Sequence, residues 1–180
     1  IVQAIKHEVG AIGLWQSLIG VVKEMSLYDD EYFIFCEDDH TFTKHYTSGV
    51  LQEGIETAKS HNADILLGGV SWLETAVQVS DRMFWVDKYT GNQFVVIFNK
   101  FYPVILGITD FENMTADKKI SELSENKFVI FPFISLQKEF GYSDATNNNN
   151  NTGRVDYLFD TTIKKLSKID KVRRYYCNMR

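Results

Sequence analysis

The chain has 180 residues, of which 44% are hydrophobic, 24% charged and 14% aromatic. This size and composition suit one folded domain and exclude a disordered chain or a fibrous repeat. Nineteen basic and 24 acidic side chains give a net charge of −5, so the chain as a whole lacks the positive field that nucleic acids attract. We therefore expect a single domain over residues 1–180 and no nucleic-acid partner.

The number of cysteines and the length of the apolar runs further restrict the class of protein. Cys36 and Cys177 are the only cysteines, too few for a disulfide framework or a zinc cluster. No apolar run approaches the roughly 20 residues of a membrane-spanning helix. We expect a cytoplasmic protein. Because the chain opens at Ile1 without a methionine, we also expect an N-terminal strand segment upstream of it.

The first 60 residues predict a helix, a strand and a second helix. Apolar residues recur at three- and four-residue steps over 8–27, which is typical of an amphipathic helix. The run 32–36 is short and apolar on both faces, as in a strand covered on both sides. It ends in four polar residues, after which Thr41 or Thr43 is expected to cap a helix that continues to about residue 60.

The rest of the chain continues the alternation of strands and helices. Apolar runs predict strands at 65–70, 94–98 and 128–134, a short helix at 101–106 and a final helix from Val155 onward. The segment 71–92 has poor regularity, and the asparagine-rich run 147–151 is interpreted as a mobile loop. This alternation predicts an α/β sandwich with a mostly parallel sheet.

The most informative feature is the acidic end of the first strand, Glu37-Asp38-Asp39. Ligand sites in open α/β sheets lie at such strand ends, and side-chain alternation would turn Glu37 and Asp39 to one side and Asp38 to the other. Two adjacent carboxylates repel unless a cation lies between them, and oxygen ligands suit Mg²⁺ or Mn²⁺. An acidic, solvated turn that caps the next helix is the alternative interpretation.

Two segments, GAIGLWQS at 10–17 and FIFCEDDH at 33–40, are predicted to form a helix and a strand that ends in an acidic triplet. In this order they resemble glycosyltransferase family 25, which includes bacterial lipooligosaccharide galactosyltransferases and collagen hydroxylysine galactosyltransferases. Fainter matches follow in order at GNQF 91–94, Asp117, Phe131-Pro132, Gln137 and Ser143-Asp144. The chain departs from the family pattern at Leu14, where Cys is frequent, at Leu18, where His is usual, and in lacking an Arg-bearing N-terminal segment.

The resemblance implies a GT-A-like, Rossmann-like α/β/α fold and an inverting transfer of a hexose. The donor would be a nucleotide sugar, expected to be a UDP-sugar, with Mn²⁺ or Mg²⁺ as cofactor. The acceptor would be a glycan or glycolipid, as in lipopolysaccharide or surface polysaccharide synthesis. The basic C-terminal tail is a candidate for peripheral contact with the inner face of the membrane, and a solvated helix end is the alternative.

The resemblance also assigns roles to residues. Asp39 would contact the metal directly, Glu37 directly or through water, and Asp38 would reach the ribose or the sugar of the donor. Gly10 and Ser17 are further donor-binding candidates. Inversion needs a general base, for which Asp117 is the first candidate; Asp144 is either a base or a third metal ligand.

Several single residues remain open between function and structure. Trp72, Phe84 and Trp85 are candidates to stack on an acceptor sugar or, alternatively, core residues. His40 is a candidate metal neighbour or, alternatively, a helix cap or a solvent-exposed residue, and Gly68-Gly69 either admits a ligand closely or bends the chain. Two other function classes also fit the sequence: a non-catalytic carbohydrate- or partner-binding protein with the same fold, and a metal-dependent phosphohydrolase.

Overall fold

The computed structural model describes residues 1–109, 115–139 and 153–177. The helices within these ranges are α1 (Gly10–Met25), α2 (Ser48–Ser60), α3 (Tyr102–Leu106), α4 (Ala116–Leu123) and α5 (Arg154–Cys177). The strands are β1 (Tyr32–Cys36), β2 (His40–Phe42), β3 (Ile65–Leu67), β4 (Trp72–Leu73), β5 (Ala76–Ser80), β6 (Met83–Val86), β7 (Tyr89–Thr90), β8 (Phe94–Phe98), β9 (Lys127–Ile130) and β10 (Ser135–Gln137). The fold is mixed α/β.

The main sheet has six strands in the order β1-β8-β3-β9-β6-β5. Only β3 and β9 pair in parallel, and the other four neighbouring pairs are antiparallel. The prediction of a mostly parallel sheet is therefore wrong. One reason is the short connection between β5 and β6, which permits a hairpin but not the crossover that parallel pairing needs. The other is β8, which runs antiparallel between β1 and β3.

The segment 71–92, predicted to be irregular, supplies four strands. β5 and β6 extend the main sheet, and β4 and β7 form a two-stranded ribbon of their own. These strands are two to five residues long. Strands this short are set by their pairing partners more than by side-chain alternation, which is why the sequence pattern did not mark them.

Two predictions around the acidic strand end are also corrected. β1 is an edge strand with Ile34 41% exposed, so it is not covered on both faces. The chain after it forms β2, which pairs with β10, where a helix was expected. α2 begins only at Ser48, and its cap is Thr47, whose Oγ1 accepts the N–H of Val50 at 3.1 Å.

Apolar side chains of the helices cover the sheet in two separate clusters. One cluster joins the sheet to α1, α3, α4 and α5, and the other joins it to α2. Buried residues of the first include Trp15, Leu18, Phe101, Ile105, Ile120, Phe159 and Leu166, and those of the second include Ile55, Ala58, Leu66, Val96, Phe128 and Ile130. No helix of the described residues is long and apolar enough to cross a bilayer.

Replacing Lys127 by methionine is expected to raise the free energy of unfolding by about 1 kcal/mol at pH 7. Lys127, on β9, is 1% exposed, and its Nζ donates to the carbonyl of Ser124. Burial lowers the pKa of the ammonium below its usual value, although the charges of Glu125, Asp87 and Asp64 oppose that shift. The net effect disfavours the charged form, so an apolar side chain of similar length should be more stable there.

The pH dependence of unfolding provides the check. Because the folded-state pKa of Lys127 is lowered, the unfolded chain binds more protons between that pKa and about 10.5. The stability of the unsubstituted protein should therefore rise with pH in this window, and Lys127→Met should not show that rise. Lys164→Met, at an exposed position, is the matched control. The free energy of unfolding is measured by denaturant titration at several pH values. An equal rise of this free energy with pH in all three proteins would contradict the assignment.

Candidate functional site

A cleft of about 560 Å³ opens beside the end of β1. Its walls come from α1, the β4–β7 ribbon, the loop after β7, α4 and the start of α5. The polar side chains that line it are Glu37, Ser71, Lys88, Thr90, Asn92, Thr115, Asp117, Lys118, Ser121, Glu122, Gln137 and Arg154. The apolar part of the wall includes Ala11, Leu14, Trp72 and Leu158.

Glu37 follows β1 directly and lines this cleft. Its backbone N–H donates to the carbonyl of Gln93 at 3.1 Å, which continues the β1–β8 pairing by one residue. Burial raises the pKa of the Glu37 carboxyl to about 8, with further contributions from the charges of Asp39, Asp117 and Asp38. The cleft therefore holds a carboxyl group whose ionised form lacks a compensating positive charge.

Asp39 lies beside Glu37 but is not part of the cleft lining. Its Oδ2 accepts a hydrogen bond of 2.6 Å from Gln137 Nε2, whereas its Oδ1 is buried and has no hydrogen-bond partner. Burial raises the pKa of Asp39, partly offset by the bond from Gln137. Asp38 is exposed and also lies outside the lining.

Two features of these carboxyl groups would suit a divalent cation. A cation would stabilise the ionised form of Glu37, and Asp39 Oδ1, which has no hydrogen-bond partner, would be free to coordinate it. Among residues 1–109, 115–139 and 153–177, no group of three or more His, Cys, Asp or Glu side chains is arranged to hold a metal. Magnesium sites with one or two protein carboxylates are common where substrate phosphates and water complete the shell.

Asp117 lies in the first turn of α4 and lines the same cleft as Glu37. One oxygen, Oδ2, accepts the N–H of Gly91 at 2.8 Å, and Oδ1 accepts the N–H of Lys118 at 2.8 Å. Gly91 has a φ of +107°, a backbone conformation that favours glycine. Asp117 therefore fixes the loop after β7 against α4, and each of its oxygens keeps one lone pair for another donor.

The remaining predicted residues lie in varied positions. Ser17 has its hydroxyl engaged inside the protein, since it donates to the carbonyl of Gly13 at 2.7 Å and accepts the N–H of Ile5 at 2.8 Å. Gly10 is the first residue of α1. His40 Nδ1 is 2.8 Å from Ser135 Oγ, and its Nε2 is buried without a partner. Asp144 and the run 147–151 lie outside the described residues.

Part of the basic C-terminal tail is engaged within the chain. Lys165 Nζ donates to the carbonyls of Leu73 and Glu74, at 3.3 and 2.5 Å. Arg173 pairs with Asp81 at 2.5 Å, and Arg174 pairs with Asp170 at 2.8 Å. The two ion pairs offset the charges of Arg173 and Arg174, so α5 offers less net positive charge to an external surface than its sequence suggests.

Sequence reasoning missed the basic side chains of the cleft. Lys88, Lys118 and Arg154 come from three segments that are far apart in the chain. All three are exposed, and Lys88 pairs with Glu74 at 3.5 Å. Only Lys118 stood next to a predicted site residue, and no motif surrounds any of the three.

Comparison with known proteins leaves the family open. No protein-family model and no curated protein matches the chain. One similar solved structure is the crystal structure of apo UDP-glucose pyrophosphorylase, with a TM-score of 0.47 and 9% sequence identity. The similarity covers 85% of this chain and 60% of that chain, so the protein spans less than two thirds of this neighbour. A TM-score below 0.5 does not establish a shared fold.

Proposed function

We propose that the protein is a metal-dependent inverting glycosyltransferase that moves a hexose from a UDP-sugar to a glycan or glycolipid acceptor. The observation that carries this proposal is the carboxyl pair Glu37 and Asp39, which follows the C-terminal end of β1. Glu37 lines the cleft with a carboxyl whose ionised form is disfavoured, and Asp39 beside it has an unpartnered oxygen. Such a pair suits a cation that is shared with substrate phosphates.

Charge of both signs in one cleft supports a nucleotide diphosphate as the ligand. Lys118 and Arg154 line the same cleft as Glu37, and their ammonium and guanidinium groups can donate to phosphate oxygens. A volume of about 560 Å³ lies within the range of small-molecule sites. A cation held by Glu37 and Asp39 would supply Lewis-acid stabilisation of the leaving diphosphate.

The acceptor hydroxyl must lose a proton, and Asp117 is the first candidate base among the described residues. It lines the cleft, and the hydrogen bonds that it accepts from two backbone N–H groups hold its carboxylate in one orientation. Its oxygens each retain a lone pair for the acceptor proton. Asp144 remains the second candidate. Asp38 and Gly10 would lie nearer the donor than the acceptor in this proposal.

The proposal is tested by ligand-dependent stability and by donor hydrolysis. UDP with Mn²⁺ is expected to raise the melting temperature, because a ligand that binds only the folded state stabilises it. UDP-galactose, UDP-glucose and their N-acetyl forms are then screened for Mn²⁺-dependent hydrolysis. UMP or uridine with Mn²⁺ is the matched control, since neither has a diphosphate. No shift with UDP at millimolar concentration, with or without Mn²⁺, would contradict the proposal.

One observation favours a second candidate, a non-catalytic carbohydrate-binding protein with the same fold. Asp39 does not line the cleft, and a catalytic metal must contact the donor phosphates there. Binding of sugars without UDP-dependent stabilisation or transfer would support this candidate. Release of phosphate from simple esters would instead indicate a phosphohydrolase that uses the same carboxylates.

A further inference from the structure

Trp72 is a large aromatic residue that the fold leaves open to solvent inside a cleft. It is 44% exposed, and its side chain lines the same cleft as Glu37 and Asp117. The two other aromatic candidates differ. Phe84 is fully buried in the core, and Trp85 donates its indole N–H to the carbonyl of Glu125 at 2.6 Å. Of these three aromatic residues, only Trp72 lines the cleft.

The backbone on both sides of Trp72 is held in place by α5 and β7. Before it, Ser71 donates its N–H to Thr90 at 2.9 Å, and its carbonyl accepts a bond of 2.8 Å from Thr162 Oγ1. After it, Leu73 is 3% exposed, and its carbonyl accepts from Lys165 Nζ. Because the backbone of this strand is already held, the protein loses little conformational entropy when a ligand packs against the exposed indole.

The cleft that Trp72 lines is mixed in polarity. Leu14 and Leu158 provide apolar surface in the same cleft, and Lys88, Asn92 and Glu122 provide groups that donate or accept hydrogen bonds. Within the described residues, no other aromatic ring lies against the Trp72 indole. A pyranose matches this arrangement, because one of its faces carries only C–H groups while its edge carries hydroxyls.

We propose that Trp72 is the platform on which the acceptor sugar ring stacks, with its C–H face on the indole. This inference rests on the proposed function, since it places a second substrate in the cleft of that site. The negative face of the indole attracts the weakly positive C–H groups of the sugar. Trp72 would thereby determine which sugars orient a hydroxyl toward Asp117, and it would act on acceptor binding more than on donor binding.

The test measures sugar binding and donor binding separately on the full chain. Lactose, cellobiose and chitobiose are titrated with saturation-transfer NMR and tryptophan fluorescence as readouts, and mannitol serves as an acyclic control that has no ring face. UDP with Mn²⁺ is titrated in parallel by thermal shift. The variants are Trp72→Ala, Trp72→Phe and, as a matched control, Tyr28→Ala, which truncates an aromatic residue that is 59% exposed and lies outside the cleft.

Trp72→Ala is expected to weaken binding of at least one disaccharide by about tenfold, the scale of one aromatic contact. Trp72→Phe should retain most of the affinity, and Tyr28→Ala should equal the unsubstituted protein. The thermal shift with UDP should not change in any of the three. Failure of all three disaccharides to bind, or binding that Trp72→Ala leaves unaltered, would overturn the platform even if UDP binds.

The two readouts separate this inference from the proposed function. Loss of the UDP shift in the unsubstituted protein, with disaccharide binding that depends on Trp72, would retain the platform and reject the transferase. If Trp72→Ala removed UDP stabilisation but not disaccharide binding, the ring would hold the nucleobase, and the inference about the acceptor would be wrong. Melting temperatures of the ligand-free variants identify any variant that does not fold.

Discussion

Glu37→Gln and Asp39→Asn are each expected to lower sugar transfer by about a thousandfold and to remove the Mn²⁺-dependent stabilisation by UDP. Each change keeps the size of the side chain and removes one of the two charges that would hold the cation. The two residues act as a unit in the proposal, so the double variant should be little worse than either single variant. Initial rates with excess donor and thermal shifts with UDP and Mn²⁺ provide the measurements.

Asp29→Asn is the matched control, because it removes a carboxylate from an exposed turn just before β1. It should transfer sugar at the same rate as the unsubstituted protein. Glu37→Gln should also fold at least as stably without ligand, since it removes a carboxyl whose ionised form is disfavoured by burial and by Asp39, Asp117 and Asp38. Full transfer activity in both acidic-site variants would reject the proposed metal site.

Gly69→Ala is expected to destabilise the fold by about 3 kcal/mol or more, as overpacking in a closely packed site does. A Cβ at this position would lie inside van der Waals distance of the backbone oxygen of Ser135, with the ring of Phe133 at 3.2 Å. Hydrogen bonds join the backbone of Gly68 and Gly69 to the neighbouring segments. The Gly69 carbonyl accepts from Gln93 Nε2 at 3.0 Å, and the Gly68 carbonyl accepts the N–H groups of Ile134 and Ser135.

Gly20→Ala is the matched control for that substitution. Gly20 lies in the middle of α1, is exposed, and has open space where the Cβ would go. Alanine favours the helix there by about 1 kcal/mol, so this variant should be more stable than the unsubstituted protein. Urea titrations of both variants test the pair. A neutral effect of Gly69→Ala would show that the β10 backbone shifts readily, and the close approach would not be a constraint on the fold.

Local sequence pattern predicted several elements with accuracy. The amphipathic period over residues 8–27 corresponds to α1, and the runs 32–36 and 94–98 are β1 and β8 with the predicted bounds. These elements are signalled by residues close together in the chain, and their partners do not need to be known. The acidic residues after β1 were also found this way, since they interrupt a strand abruptly.

Elements that depend on distant partners were not predictable in the same way. β2 forms because β10 pairs with it, and Thr43 Oγ1 also donates to the carbonyl of Phe133 at 2.6 Å. Thr41 and Thr43 follow the acidic run and are residues of a type that caps helices, but the cap of α2 is Thr47. A helix-cap signal depends on neighbouring residues, whereas the pairing of β2 with β10 joins residues about 95 positions apart. The distant pairing determined the structure of this segment, and the local signal did not.

The sequence by itself indicated a mixed α/β fold with carboxylates at the end of an apolar strand. Tertiary structure alone decided the antiparallel direction of most strands, the cleft that joins Glu37 to Asp117, and the basic side chains of Lys118 and Arg154 in its wall. Side-chain period reports which face of an element is buried. It does not report which element will cover that face, because the covering element is selected by the packing of the whole chain.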